Sequence, residues 1–328
     1  VSGSPRDVLG IGWRNRLSSP AVFRLNPPLS MNPGSPIVKF PELTYATDND
    51  PPLKRWIIIS LERWAGRDAI VPLYETWRRD YVGNQRNIME PALQLLDVDL
   101  QIASGRLPQS LDPSTPLVIV SNHPYGIVDG FGALTLAEAL GRPFRVLIHK
   151  DLVKVPEIRP YALPIDFTDT KAAQAENIKV RKEALSLLAQ GTTVVVFPSG
   201  GVATSPTMFG RAVDLPWKTF TARMILASRA QVLPLYFEGQ CSPLFHLISK
   251  FSLTLRLSAI LREFRRKIGD PLQVHIGDMI TFEEISDTVG NDRKALMNML
   301  YDRVHQMSGM APEEVRARMN QLPDYLKG

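Results

Sequence analysis

One cysteine, Cys241, stands in 328 residues. Its isolation excludes an intrachain disulfide framework and a cysteine-based zinc site, and it fits a reducing compartment. Histidine is also scarce, at five. His149, His246, His275 and His305 show no ligand spacing with nearby carboxylates, so no zinc or iron site is expected. No apolar run approaches the roughly 18–20 residues of a membrane-spanning helix. The longest, around Trp56-Ile57-Ile58-Ile59 and Val194-Val195-Val196-Phe197, fall far short. A secretory apolar core is missing too, since Ala21-Val22-Phe23 is flanked by Pro20 and Arg24. No basic stripe interleaved with aromatics is present, which argues against a nucleic-acid partner.

What the chain has in excess is proline, 27 residues, crowded before residue 55 as Pro5, Pro20, Pro27, Pro28, Pro33, Pro36, Pro41, Pro51 and Pro52. Residues 1–52 therefore read as an extended arm. The remainder, 53–328, reads as one α/β domain with a helical layer at 53–96, a core at 97–280 and closing helices at 281–328. Its length suffices to bury a large core, and 44% hydrophobic with 22% charged residues is ordinary for a globular protein. The net charge of +5 is mild. Its location is more informative, because Lys250, Arg256, Arg262, Arg265, Arg266 and Lys267 cluster against a single acid, Glu263.

Periodicity predicts helices at 53–66, 68–81 and 86–96, then a strand near 97–103 and another at 117–121. A helix at 130–140 ends at Gly141, and 145–148 is a strand. Residues 150–167 are proline-rich and carry only short apolar pieces. Helix 171–189, strand 192–197, helix 218–229, strand 231–237, a basic amphipathic helix at 248–267, strand 272–278 and helices at 282–287 and 292–307 complete the series. Strands alternating with helices argue an α/β sheet covered on both faces, after an N-terminal helical layer. In such sheets, sites form outside the carboxyl ends of strands.

Two strand ends carry chemistry. Val118-Ile119-Val120-Ser121 runs into Asn122-His123-Pro124-Tyr125-Gly126-Ile127-Val128-Asp129-Gly130. A strand followed by a loop of this kind exposes an imidazole, and a carboxylate at the head of the next helix can hold it in one tautomer. Asp129 also has a plain structural reading, as the N-cap of helix 130–140. The second strand ends in Phe197-Pro198-Ser199-Gly200-Gly201, another glycine-bearing loop, and the two suggest one shared site.

Asn122-His123 through Asp129, then Phe197-Pro198-Ser199-Gly200, then Val232-Leu233-Pro234-Leu235-Tyr236-Phe237 resemble, in order, three sequence blocks of the lysophospholipid (glycerolipid) acyltransferase superfamily. The resemblance extends to its hemolysin-like branch, which includes ornithine-lipid O-acyltransferases, and covers about residues 90–280. It implies an α/β fold with a single mixed β-sheet flanked by helices and an N-terminal helical layer. It also implies an acyltransferase of phospholipid biosynthesis in which His123 takes a proton from the acceptor hydroxyl as it attacks an acyl thioester. Asp129 would orient the ring and stabilise its charge. Acyl-CoA or acyl-ACP would be the donor, with no bound cofactor. The partners implied are a lysolipid-like acceptor, the membrane surface and acyl carrier protein. The location implied is peripheral, on the inner, cytoplasmic face of the cell membrane.

Departures from the family pattern are informative. Five residues separate His123 from Asp129, where the family usually has four. Ser199, Gly201 and Val202 stand where Phe-Pro-Glu-Gly-Thr-Arg has Glu, Thr and Arg, which weakens the case for a glycerol-phosphate acceptor. The backbone of Gly200 and Gly201 can still face an anion or a developing oxyanion. Substrate-binding candidates are Asn122, Tyr125, Gly126, Phe197, Pro198, Ser199, Gly200 and Gly201, with Arg159, Arg211 and Lys218 as cations in place of the missing arginine. For each of the three cations a solvated surface role is the plain alternative. Helix 248–267 and the tryptophan-bearing layer of Trp56, Trp64 and Trp77 are rival membrane contacts, though the helix reads more plainly as a surface helix packed on the sheet, and tryptophans at helical spacing more often face a core. Cys241 has only His246 near it in sequence and is not read as a nucleophile. Two other readings stay open: an acyl-thioester hydrolase with water as acceptor, and a non-catalytic lipid-binding member of the fold in which His123 and Asp129 lie apart.

Overall fold

The β-branched runs form the centre of a seven-stranded sheet in the computed structural model of the chain, which describes residues 40–322 apart from 45, 47–50, 84–86, 167, 169 and 250–252. The strands are β1 (Leu100–Ser104), β2 (Leu117–Ser121), β3 (Phe144–His149), β4 (Ala162–Ile165), β5 (Thr193–Val196), β6 (Gln231–Phe237) and β7 (Leu272–Ile276). Their order is β1-β7-β6-β2-β5-β3-β4. From β6 to β4 all neighbours are parallel, β7 runs antiparallel to β6, and β1 runs parallel to β7. The sheet is therefore mixed. Every residue of β2 and β5 is buried, as a strand covered on both faces requires.

Helices cover both faces. On one, α5 (Lys171–Ala189), α6 (Phe220–Ser228) and α10 (Arg293–Gln306) pack Ala184, Leu188, Ile225, Leu300 and Val304 onto Val118, Val120, Val194, Val196 and Val232. The alternate strand residues Ile119, Val195 and Leu233 turn to the opposite face. There α4 (Ile127–Ala139) packs on β3, β5 and β7. Gly132 of α4 brings the helix so near the sheet that a Cβ would lie 2.8 Å from Leu272 and 2.9 Å from Phe237. The N-terminal layer is α1 (Pro52–Ala65), α2 (Arg67–Asp80) and α3 (Met89–Leu95). It joins the core through the buried carboxylate of Glu138 on α4, which accepts the Ile88 and Met89 N–H groups at 2.9 and 3.3 Å and so caps α3. α7 (Pro243–Ile248) and α8 (Leu253–Lys267) follow β6, and α9 (Phe282–Val289) and α11 (Pro312–Asn320) flank α10.

Several elements differ from the sequence expectation, each for an identifiable reason. Strand β4 lies within the stretch expected to be irregular. Its Pro164 is tolerated because β4 is an edge strand and pairs only with β3. Of the amphipathic helix expected over 248–267, α8 supplies Leu253–Lys267, Ile248 is the last residue of the preceding α7, and 250–252 lie outside the described residues. Helix α11 was not expected, although Pro312 at its first position and Glu313 and Glu314 in its first turn are ordinary start signals. Helix α4 begins at Ile127 rather than at residue 130, with Gly126 at the N-cap, so Asp129 lies inside the first turn and is not the cap.

Most of the proline-rich arm, including residues 1–39, lies outside the described residues. Its last described part is docked. Thr44 Oγ1 donates to Glu62 Oε2 at 2.7 Å, and Arg67 Nε donates to the Leu43 carbonyl at 3.2 Å. Among the described residues, no helix is long and apolar enough to cross a membrane.

Candidate active site

The carboxyl end of β2 delivers Asn122 and His123. Asn122 acts as a backbone substitute. Its Nδ2 donates to the Phe237 carbonyl at 2.9 Å and its Oδ1 accepts the Phe237 N–H at 2.7 Å, so a buried amide ties the end of β2 to the end of β6. The structure places this side chain on the neighbouring strand and spends its amide there. Asn122→Ala leaves two buried backbone groups without partners, at about 2–4 kcal/mol together. Calorimetry should show the melting temperature falling by roughly 5–15 °C. A shift under about 1 °C would show that the bridge contributes nothing.

His123 is held at four points. Its N–H donates to Asp214 Oδ1 at 3.1 Å, and its carbonyl accepts the Ala203 N–H at 2.7 Å. Its ring lies against Phe197, centroids 4.2 Å apart. Its Nδ1 is 2.7 Å from Asp129 Oδ2. Asp129 is fully buried, while the His123 side chain keeps 17% of its surface exposed. Nδ1 facing a carboxylate is the proton-bearing nitrogen, which leaves Nε2 as a lone-pair acceptor. Nε2 has no partner among the described residues. Five intervening residues do not separate the pair, because Gly126 turns the chain at φ +88° and starts α4 early enough to bring Asp129 back beneath the ring. Any Cβ at Gly126 would also lie 2.9 Å from Val202. A non-catalytic member of the fold was expected to hold His123 and Asp129 apart, and this chain holds them together.

The loop after β5 sits against the His123 loop through the Ala203 hydrogen bond. Gly200, at φ +66°, donates its N–H to the Phe197 carbonyl at 3.0 Å, so this N–H is used in the turn and does not face a ligand. The Gly201 N–H has no partner among the described residues. Ser199 is buried and donates its hydroxyl to the Gly201 carbonyl at 2.9 Å, and the Pro198 carbonyl accepts the Lys218 N–H at 3.0 Å. Val202, where the family pattern has arginine, is buried, and its carbonyl accepts Arg256 Nη2 from α8. A guanidinium thus does approach this loop, but from a helix the sequence reading assigned to the surface.

The other candidates are placed as follows. Tyr125 packs with Val202, Cys241 and Phe245, and burial pushes its phenol up to about 12, with Cys241 and Asp129 adding to the rise. Cys241 is buried and donates to the Pro124 carbonyl at 3.3 Å. Burial pushes its thiol well up, so no thiolate nucleophile is set up there. Arg211 and Lys218 are exposed. Arg159 lies in the 3-10 turn Pro156–Tyr161, with Nε donating to the Val153 carbonyl at 2.8 Å. Tyr161 of that turn stacks on Phe144, the first residue of β3, whereas His123 leaves the carboxyl end of β2. Among the described residues, Arg159 makes the Val153 hydrogen bond and none to the His123 loop. A cavity of about 470 Å³ beside the same turn is lined by Val82, Ile88, Pro156 and Tyr161 and includes no residue of the His123 loop. Sequence reasoning missed Asp214, which sits 91 positions from the N–H it binds and in no periodic pattern.

The Acyltransferase family model matches residues 60–273, a span that contains both loops. The chain belongs to that family, within the glycerolipid acyltransferase superfamily. It is 28% identical over 174 residues to a lyso-glycine lipid O-acyltransferase of Phocaeicola vulgatus, covering 52% of this chain and 57% of that protein. It is also 28% identical over 165 residues to a lyso-glycine lipid O-acyltransferase of Bacteroides thetaiotaomicron, covering 49% and 56%. The chain thus spans a little over half the length of these curated relatives. Among solved structures it is similar to the 1-acyl-sn-glycerophosphate (LPA) acyltransferase PlsC from Thermotoga maritima, at 16% identity and a TM-score of 0.44, covering 77% of this chain and 97% of that one.

Proposed function

We propose that this chain moves a fatty acyl group from the thioester of coenzyme A or acyl carrier protein to a hydroxyl, or an amine, of a lysolipid-like acceptor. The observation that carries the reading is the 2.7 Å contact between His123 Nδ1 and a fully buried Asp129, with Nε2 left to meet substrate. Nε2 takes the acceptor's proton as its oxygen attacks the thioester carbonyl. The oxygen anion that forms there is met by the Gly201 N–H. The carbon–sulfur bond then breaks, and the proton on His123 goes to the departing thiolate. Asp129 stabilises the imidazolium between these steps and keeps the ring in the productive tautomer.

An aminolipid acceptor is favoured over a glycerol phosphate. Val202 stands where the family's arginine would meet a phosphate, and the curated relatives are named for a glycine lipid. The site works peripherally at the inner membrane face. Leu53 and Trp56 project from the first turns of α1 at 70% and 65% exposure, and α1 packs on α8, where Arg265 and Arg266 are exposed. Exposed apolar side chains on one helix and exposed cations on the helix packed against it suit an anionic lipid surface.

The test is to incubate the purified protein with acyl-CoA or acyl-ACP and anionic liposomes carrying lyso-glycine lipid, lyso-ornithine lipid, lysophosphatidate or lysophosphatidylcholine. Products are read by mass spectrometry and bound protein by co-sedimentation. An acylated aminolipid and sedimenting protein are expected. Free fatty acid that no acceptor diverts would replace the transferase with a hydrolase, and acylation of lysophosphatidate alone would overturn the acceptor assignment.

A further inference from the structure

Asp214 is a second acid at the site, and nothing about the reaction as proposed above uses it. Its carboxylate is 1% exposed. Oδ1 accepts the His123 N–H at 3.1 Å and Oδ2 accepts the Trp217 indole N–H at 3.0 Å. Burial is the main influence on this carboxyl and pushes it upward, opposed by the positive charge that His305 and His123 can carry and by the two hydrogen bonds. Burying a charge here is costly, and a neutral side chain could anchor the N–H equally well. An acid at this position is accounted for by a neighbour that becomes a cation beside it.

The surroundings narrow it. Trp217 packs edge-on against Tyr301 and His305 of α10, at 5.4 and 6.1 Å, and Tyr301 stacks on His305 at 3.9 Å. His305 is buried, its Nδ1 lies 2.9 Å from the Tyr301 carbonyl, and burial pushes its imidazole toward the neutral form. Tyr301 and Tyr236 are pushed upward, first by burial and next by the Asp214 charge, so neither ionises near neutrality. The Arg211 charge opposes that rise at Tyr236. Among the described residues, the neighbour of Asp214 that becomes a cation during the proposed acyl transfer is His123, which faces Asp129 from α4 on its other side.

We infer that Asp214 is a positioning residue for His123, fixing the backbone from which the imidazole projects and adding a second negative charge that favours its protonated form. Residues 293–306 of α10, beyond the family match at 60–273, form the back wall of this device. The inference rests on His123 being the base, and the experiment separates the two.

The first arm needs no substrate. The imidazole of His123 is titrated by NMR in the wild-type protein and in Asp214→Asn, with the resonance assigned from His123→Gln. The titration curve of this resonance is expected to move to lower pH in Asp214→Asn. In the same proteins, turnover of Asp214→Asn falls about tenfold with KM unchanged, and the acid limb of its pH profile moves to lower pH. A folded variant with a wild-type titration and wild-type kcat overturns the inference. Should Asp214→Asn fail to fold, the wild-type protein decides. The His123 amide proton must then move in step with titration of the Asp214 carboxyl carbon, and an amide that ignores it overturns the inference. Turnover retained by His123→Ala would instead sink the base assignment, leaving the titration result standing.

Discussion

His123→Ala should lower kcat/KM by about 10²–10⁴-fold, the range a positioned general base contributes, with the circular dichroism spectrum unchanged. Its thermal stability should fall as well. Asp129 is fully buried, and its Oδ1 already lacks a hydrogen-bond partner among the described residues. Removing the imidazole takes away the partner of Oδ2, which leaves a buried carboxylate unpaired at a cost of about 1–3 kcal/mol or more. The double variant His123→Ala with Asp129→Asn should recover that stability while remaining as inactive as the single one. Residues that act as a unit are not additive in kinetics. Calorimetry and turnover measured on both variants check this, and a double variant less active than His123→Ala would show that Asp129 does more than serve the imidazole.

Asp129→Asn alone should reduce kcat by about 10²–10⁴-fold with KM little changed. An asparagine amide can donate to Nδ1, which puts the ring proton on Nε2, the nitrogen that has to accept from the acceptor hydroxyl. It also removes the charge that stabilises imidazolium. Imidazole ¹⁵N shifts read the tautomer directly. A variant that keeps more than about a third of its turnover would mean that the Phe197 ring and the backbone anchors hold His123 without help from the acid.

The parts of this molecule legible in sequence are those set by local composition. The β-branched runs ending in Ser121 and Val196 could only be buried strands, and the loops after them stood out because polar, glycine-bearing residues interrupt them. Placing Asp129 was harder. Asp-Gly before a helical run reads as a cap, but Gly126, three positions earlier, is the residue able to reach φ +88° and begin the helix. Strand β4 was hidden by Pro164, whose tolerance depends on an edge position that only the assembled sheet creates. Pro234 poses the same problem in a central strand. β7 pairs with residues 235–237 of β6, the next bridge is at Val232, and Pro234 falls between them, where its carbonyl still accepts the Gly277 N–H at 2.9 Å. Asn122 and Asp214 were read incompletely or missed for one reason: their partners lie 115 and 91 positions away, and no local pattern records a long-range hydrogen bond.

The β1–β7 pairing has a consequence for how the chain is made. β1 is the first strand of the described sheet to leave a ribosome, yet its partner is the last, and Ser104 meets His275 across 171 positions. Until that late segment arrives, β1 has no neighbour, because the order of the sheet places it beside β7 alone. Non-local pairing of this kind is slow, and an unpaired strand edge invites association with other chains. Nascent chains stalled before β7 would therefore depend on being shielded during synthesis. The strand made first is the one that waits longest.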